Sequence, residues 1–336
     1  MTRIFWDGAE DPNGFASVWT EEYWNVERVT TPLASGTYSY RVPGNSYLKK
    51  TFTGITEGYF KVRWRISTNY FEINWGTVQF RNGATMLVQL GLDTTYRKFR
   101  IYIGSTLVAT GTFTYALDTW YNLEFHVKID DTTGVVQLKV DGILDIDYTG
   151  DTKPSTQTTI DSLYLYALGY VVNNAYYDDI AINDTTGAID NSWCGEGRIE
   201  YKISNGAGDA TELTPNAGAN YAAVDELAQD GDTTYVEGST VDARDLYNLA
   251  ASGLASGSTI KRVRPVAVAK DTVANGGKIA LVLKTNGTEY TGSDIPLTTT
   301  YATAEGTEYT TNPQSGNAWT IAELDALQAG PKVRGT

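Results

Sequence analysis

The stretch "WYNLEFHVKIDDTTGVVQLKVDG", Trp120 to Gly142, decides the fold. Leu123, Phe125, Val127 and Ile129 alternate with Glu124, His126, Lys128 and Asp130. Past a Thr133-Gly134 turn signal, Val136, Leu138 and Val140 alternate with Gln137, Lys139 and Asp141. A period of two buries one face and wets the other, so each run is a half-buried strand. Asp141-Gly142 then marks the next turn.

The pattern recurs outward from there. In "YFKVRWRIS", Phe60, Val62, Trp64 and Ile66 alternate with Lys61, Arg63 and Arg65; in "RKFRIYIG", Phe99, Ile101 and Ile103 alternate with Lys98, Arg100 and Tyr102. Trp64, and Trp75 with Phe71 and Ile73, fall on inward registers and read as core. Many short strands with regular turns such as Asn82-Gly83 predict an antiparallel sandwich.

All nine Phe and six of the eight Trp precede residue 190, after which Ala, Gly, Thr and Asp dominate. This shift predicts two domains, 1–190 and 191–336. The second reads as mostly β, with an Asn286-Gly287 hairpin turn and Pro265 at an edge or bulge. Two short helices are expected. One is Asn220 to Asp230; the other follows the Thr320/Glu323 capping box and ends near Gly330.

The formal net charge is −14, made of 26 basic and 40 acidic residues. Basic clustering for nucleic acid is lacking. The single cysteine, Cys194, excludes an internal disulfide and reads as a buried small residue. The opening "MTRIFWDGAEDPNG" has no signal-segment pattern, and no run of about 18 apolar residues predicts a membrane span.

"YYDDIAIND", Tyr176 to Asp184, is the first chemical candidate. A glycosidase needs two carboxyls about 5 to 9.5 Å apart on one cleft. On a regular strand Asp178 and Asp179 point to opposite faces, so one is expected to cap a loop and the other to face water. Ile180 and Ile182 are expected in the core. Asp145 and Asp147 would share a strand face and are weak calcium candidates; the plain alternative is solvated turn carboxylates. His126 is the only histidine, which excludes multi-histidine zinc sites. It reads as an exposed strand residue. Tyr102, Tyr164 and Tyr166 take outward registers. With Arg65, Arg100 and His126 they predict one wet face suited to sugars or a protein partner. The alternative is an ordinary solvated sheet face, and strand order decides between them. No catalytic set and no cofactor motif stands out.

The Trp120–Gly142 stretch resembles concanavalin A-like, laminin G-type sandwiches, and "FWDGAEDPN" and "YYDDIAIND" are similar to the first and last strands of such domains in bacteriophage proteins. The glucanases of that fold carry a Glu-x-Asp-x-x-Glu strand. Here the nearest match is "AELDALQ", with Gln328 near the place of the third carboxylate, so the resemblance implies no enzyme. Stretches such as "TNPQSGNAWTIAELDALQAG" resemble a C-terminal module of phage virion proteins. The resemblance implies a tail-associated virion protein, exposed on the particle and present in several copies as a homo-oligomer. Its C-terminal part would dock on other virion proteins, and its first domain would bind a host glycan or another virion protein, without entering a membrane. The alternatives are a capsid decoration or head-fibre protein, and a polysaccharide depolymerase.

Overall fold

The alternating runs become strands throughout the computed structural model, which describes residues 3–11, 18–67, 76–167, 174–274 and 276–335. Phe71, Ile73 and Trp75 lie outside the described residues. Contacts divide the chain into Met1–Glu200 and Tyr201–Thr336. Residues 191–200, grouped with the second domain by composition, pack on the first unit.

In chain order the first unit contains β1 (Arg3–Asp7), β2 (Glu21–Tyr23), β3 (Glu27–Val29), β4 (Ser39–Pro43), β5 (Ser46–Ile55), β6 (Glu57–Ile66), β7 (Gly76–Asn82) and β8 (Thr85–Asp93). Then follow β9 (Lys98–Ile103), β10 (Thr106–Thr110), β11 (Tyr121–Lys128), β12 (Gly134–Val140), β13 (Ile143–Gly150), β14 (Ile160–Ala167) and β15 (Asn174–Asp184). They form two antiparallel sheets. The first runs β13-β12-β11-β6-β15-β4-β3, with β1 also on β15; the second runs β10-β9-β8-β7-β14-β5-β2.

The inner faces are the ones the alternation marks. Phe60, Val62, Trp64 and Ile66 of the first sheet are buried in one core with Val78, Phe80, Leu163 and Leu165 of the second. Aromatic rings lock the sheets together. Phe60 meets Phe80 at 4.6 Å and Trp64 meets Phe99 at 5.5 Å, within the range where ring pairs add to simple burial. The Trp64 indole N–H, which would otherwise be stranded in this core, donates to Thr77 Oγ1 at 3.1 Å. Asp141-Gly142 turns β12 into β13 with φ of 47° and 78°, left-handed values that Gly accepts without strain.

The second unit has a main sheet in which Ser204–Thr211, Asp245–Leu249, Gln328–Gly335, Lys278–Thr285 and Thr288–Thr291 lie side by side. Its one described α-helix, α1 (Ile321–Asp325), starts on the Thr320/Glu323 capping box. Gly330 does not end that helix. It lies inside the following strand, where a Cβ would sit 2.2 Å from the Asp245 carbonyl oxygen, so close backbone approach explains the glycine. Asn220 to Asp230 makes only a 3-10 turn, Asn220–Ala223, with no side chain capping its start. Pro265 directly precedes the strand Val266–Ala269, which pairs on one side with Ala302–Glu305. Among the described residues, no helix is long and apolar enough to cross a membrane.

Candidate functional site

Pairing across the second sheet aligns one unbroken rung of side chains on its outer face. From edge to edge it reads Leu107, Tyr102, Gln89, Gln79, Tyr164, Lys49 and Glu21, each directly opposite the next. Each of the central residues alternates with core neighbours, as Gln79 does between Val78 and Phe80. Seven strands at sheet spacing make the rung about 29 Å long. A second rung sets Tyr23, Tyr47 and Tyr166 side by side.

This face is aromatic, hydrogen-bonding and charged at once. Tyr23 stacks on Tyr47 at 5.1 Å, and Tyr164 on Tyr166 at 5.7 Å. Tyr23 and Trp24 are 48% and 60% exposed, which leaves large ring surface open to a ligand. Glu21 accepts hydrogen bonds from the Tyr47 hydroxyl at 2.5 Å and the Lys49 ammonium at 3.1 Å. These two donors hold the Glu21 carboxyl below its usual range. Burial, helped by the Glu21 charge, pushes the Tyr47 hydroxyl well up, so at neutral pH Glu21 is ionised and Tyr47 keeps its proton. Toward β9, Arg100 pairs with Asp93, and the Tyr102 ring covers Gly91, where a Cβ would come within 2.7 Å of it.

The six residues expected on one wet face are split between two. Arg100, Tyr102, Tyr164 and Tyr166 share the outer face of the second sheet. Arg65 and His126 lie on the outer face of the first, because β6 and β11 belong there. Tyr102 and Tyr164 are buried, at 3% and 6% exposure, under their neighbours' side chains. Arg65 pairs with Asp118 at 2.7 Å and lies over Tyr176. His126 is not an exposed residue either. It stacks on Tyr59 at 4.4 Å and shares hydrogen bonds with Glu57 (2.7 Å) and Gln137 (3.1 Å). Part of that face is covered by the segment after β15: Gly195 N–H donates to Glu124, Lys61 donates to the Gly197 carbonyl, and Cys194 is buried.

Asp178 and Asp179 also depart from expectation. One extra residue bulges β15 between Asp178 and Ala181, and Asp179 takes a left-handed φ of 48°. A bulge breaks the alternation that would have parted the pair. Both carboxylates are buried and converge on one loop. Asp178 Oδ2 accepts from the N–H groups of Ala34 and Ser35, both at 3.2 Å. Asp179 accepts from the Ser35 hydroxyl at 3.0 Å and the Ile199 N–H at 2.7 Å. Burial first, and then the Asp179 charge, raise the Asp178 pKa; burial raises that of Asp179 against the pull of Lys61. With every oxygen aimed at backbone or Ser35, the pair anchors loops. Ile180 and Ile182 are fully buried beside it.

Asp145 and Asp147 do not meet at an ion site. Asp145 Oδ1 accepts from the N–H groups of Thr112 and Phe113, both at 2.7 Å, while Asp147 accepts from Gln137 at 2.9 Å. Among the described residues, no group of three His, Cys, Asp or Glu is placed to hold a metal. Lys49, Tyr47, Gln79, Arg81 and Glu21 were not singled out by sequence reasoning. "TVQFRNG" carried the signal, since Gln79 and Arg81 alternate with Val78 and Phe80.

No family profile matches the chain, and neither does any curated protein. Among solved structures it is similar to an endo-β-1,4-glucuronan lyase from Trichoderma reesei, with TM-score 0.43 and 15% identity over 57% of this chain and all of that one. A carbohydrate-binding module, CBM66 from Bacillus subtilis, gives 0.33 and 13% over 55% and 99% of the two chains. A carbohydrate esterase of the Shiga toxin-encoding bacteriophage phi24B gives 0.41 and 14% over 54% and 98%. The likeness concerns the sandwich fold. It corrects one expectation: sandwiches of this kind include a lyase and an esterase, so the fold gives no ground for ruling out an enzyme.

Proposed function

We propose that the first unit binds a polysaccharide chain along the outer face of its second sheet. The observation that carries this is the β2 end of that face, where the open rings of Tyr23 and Trp24 stand beside Tyr47, Tyr166, Lys49 and Glu21, while Gln79, Gln89, Tyr102 and Tyr164 are buried and support them. Aromatic faces stack on sugar rings, and the hydroxyls and charges beside them suit sugar hydroxyls. The test is a glycan array probed with the whole chain, beside a Trp24→Ala, Tyr47→Ala double variant. Binding that survives in the double variant, or no binding at high micromolar concentration, removes the reading.

A second reading places cleavage on the same face. It is favoured by the direct contact of the Tyr47 hydroxyl, a proton donor, with the Glu21 carboxylate, an ionised acceptor, beside Lys49; a bound substrate would have to bring the pKa values of both toward neutral for them to act as acid and base. Release of reducing or unsaturated sugar ends from bacterial polysaccharide would support it; polymer of unchanged length would exclude it. Placement on a phage particle has its support in the sequence resemblance. Many weak sites on one particle would there give firm attachment, and labelling of the chain on intact particles tests it.

A further inference from the structure

We propose that the glycan taken by this face bears an acid group, a carboxylate or a sulfate, and that Arg81 reads it. The inference rests on the face being a glycan site. Four cations stand on it: Lys49, Arg81, Lys98 and Arg100; Lys98, at the far end opposite Asp93, donates to the Thr112 carbonyl. Lys49 is neutralised by Glu21 and Arg100 by Asp93. Among the described residues, no carboxylate lies within ion-pair distance of Arg81. Its charge is therefore the uncompensated one at the middle of the face.

The guanidinium is nonetheless held in place. Its Nε and Nη2 both donate to Gln79 Oε1, at 2.9 and 2.5 Å. Gln79 is itself buried, and its amide nitrogen lies 3.4 Å from Gln89 Oε1, so the rung fixes it in turn. Beneath, the guanidinium sits 4.5 Å from the centre of the Tyr164 ring and 5.6 Å from that of Tyr166. Gln79 and Tyr164 are thus positioning residues, and they leave Nη1 with no partner among the described residues. A planar cation fixed by a ring below and an amide beside it, with a donor to spare, fits an oxyanion better than a sugar hydroxyl. The acidic surface elsewhere does not oppose this, because charges more than about 8 Å away are screened at physiological salt.

The test uses the whole chain on neutral, uronate-bearing and sulfated oligosaccharides, at low and physiological salt. Arg81→Gln removes the charge; Arg81→Lys keeps the charge and loses the planar fork. Thermal melting checks that both variants fold. Expected is a preference for an acidic class that weakens with salt, falls at least about tenfold in Arg81→Gln and recovers only in part in Arg81→Lys. The uronate and sulfate arms tell the two anions apart. Equal binding of neutral glycans, unchanged in Arg81→Gln, overturns the acid-group inference and leaves the glycan site standing. No binding to any class overturns both. If Arg81→Gln fails to fold, the wild-type class preference and Arg81→Lys decide, and a neutral preference overturns the inference.

Discussion

Replacing Asp7 by asparagine should flatten the pH dependence of the first unit's stability. Asp7 is buried at the end of β1. Its Oδ1 accepts from the Ala9 N–H at 3.0 Å, and its Oδ2 accepts from the Trp19 indole at 2.8 Å and the Tyr40 hydroxyl at 2.6 Å. These three donors favour the carboxylate, but burial outweighs them and pushes the pKa from 3.8 up to about 6. A raised acid contributes stability that is fully present below its unfolded pKa and is lost as pH rises through its folded one. The window is therefore pH 4 to 6 and slightly above. The shift of about 2 units corresponds to roughly 3 kcal/mol lost across it. The asparagine of Asp7→Asn cannot ionise and does not suffer that loss. Urea unfolding would be followed by tryptophan fluorescence, which reports mainly on the first unit because seven of the eight Trp lie within Met1–Glu200. Asp178 and Asp179 titrate in both proteins and cancel in the difference between them. The wild-type-minus-variant stability should fall by about 3 kcal/mol from pH 4 to 7. A difference constant to within about 0.5 kcal/mol would refute burial as the dominant influence on Asp7.

Asp178→Ala strips the acceptor from two loop N–H groups and should cost about 2 to 4 kcal/mol; a loss below about 0.5 kcal/mol in urea unfolding would mean the loop finds other partners. Trp24→Ala touches an exposed ring, so stability should move by less than about 0.5 kcal/mol while glycan binding drops. An unchanged binding curve would remove Trp24 from the site. Thr320→Ala breaks the capping box of α1 and should cost the second unit about 1 kcal/mol, read as a lower melting temperature for that unit. Thr320→Asp keeps an N-cap acceptor, and a similar loss there would show that capping is not the cause.

Within a strand, the sequence was nearly sufficient. Phe60, Val62, Trp64 and Ile66 point inward because a period of two leaves them no other choice once their neighbours are Lys and Arg. The Asn-Gly and Asp-Gly turns and the Thr320 box are local chemistry, and they formed where their residues stand. Asp179 was hidden because a single left-handed residue undoes alternation, and Asp adopts that backbone more readily than most residues do.

Between strands, alternation falls silent, and the candidate site shows why. Period two says that His126 and Tyr164 both point out of the core. A sandwich has two outsides, however, facing opposite ways, and only the pairing order assigns a strand to one of them. That order is set by contacts far apart in the chain: Glu21 reaches Lys49, Lys49 reaches Tyr164, and Tyr164 reaches Gln79. Tyr164 therefore shares a surface with Arg81, 83 positions earlier, and none with His126, only 38 away. The same geometry ties recognition to folding here. The Arg81 guanidinium is positioned only once β7 lies beside β14 and the Tyr164 ring is beneath it. A variant that shifts the β7–β14 register by one residue would send Gln79 and Arg81 into the core. It would abolish the binding face and the sandwich together.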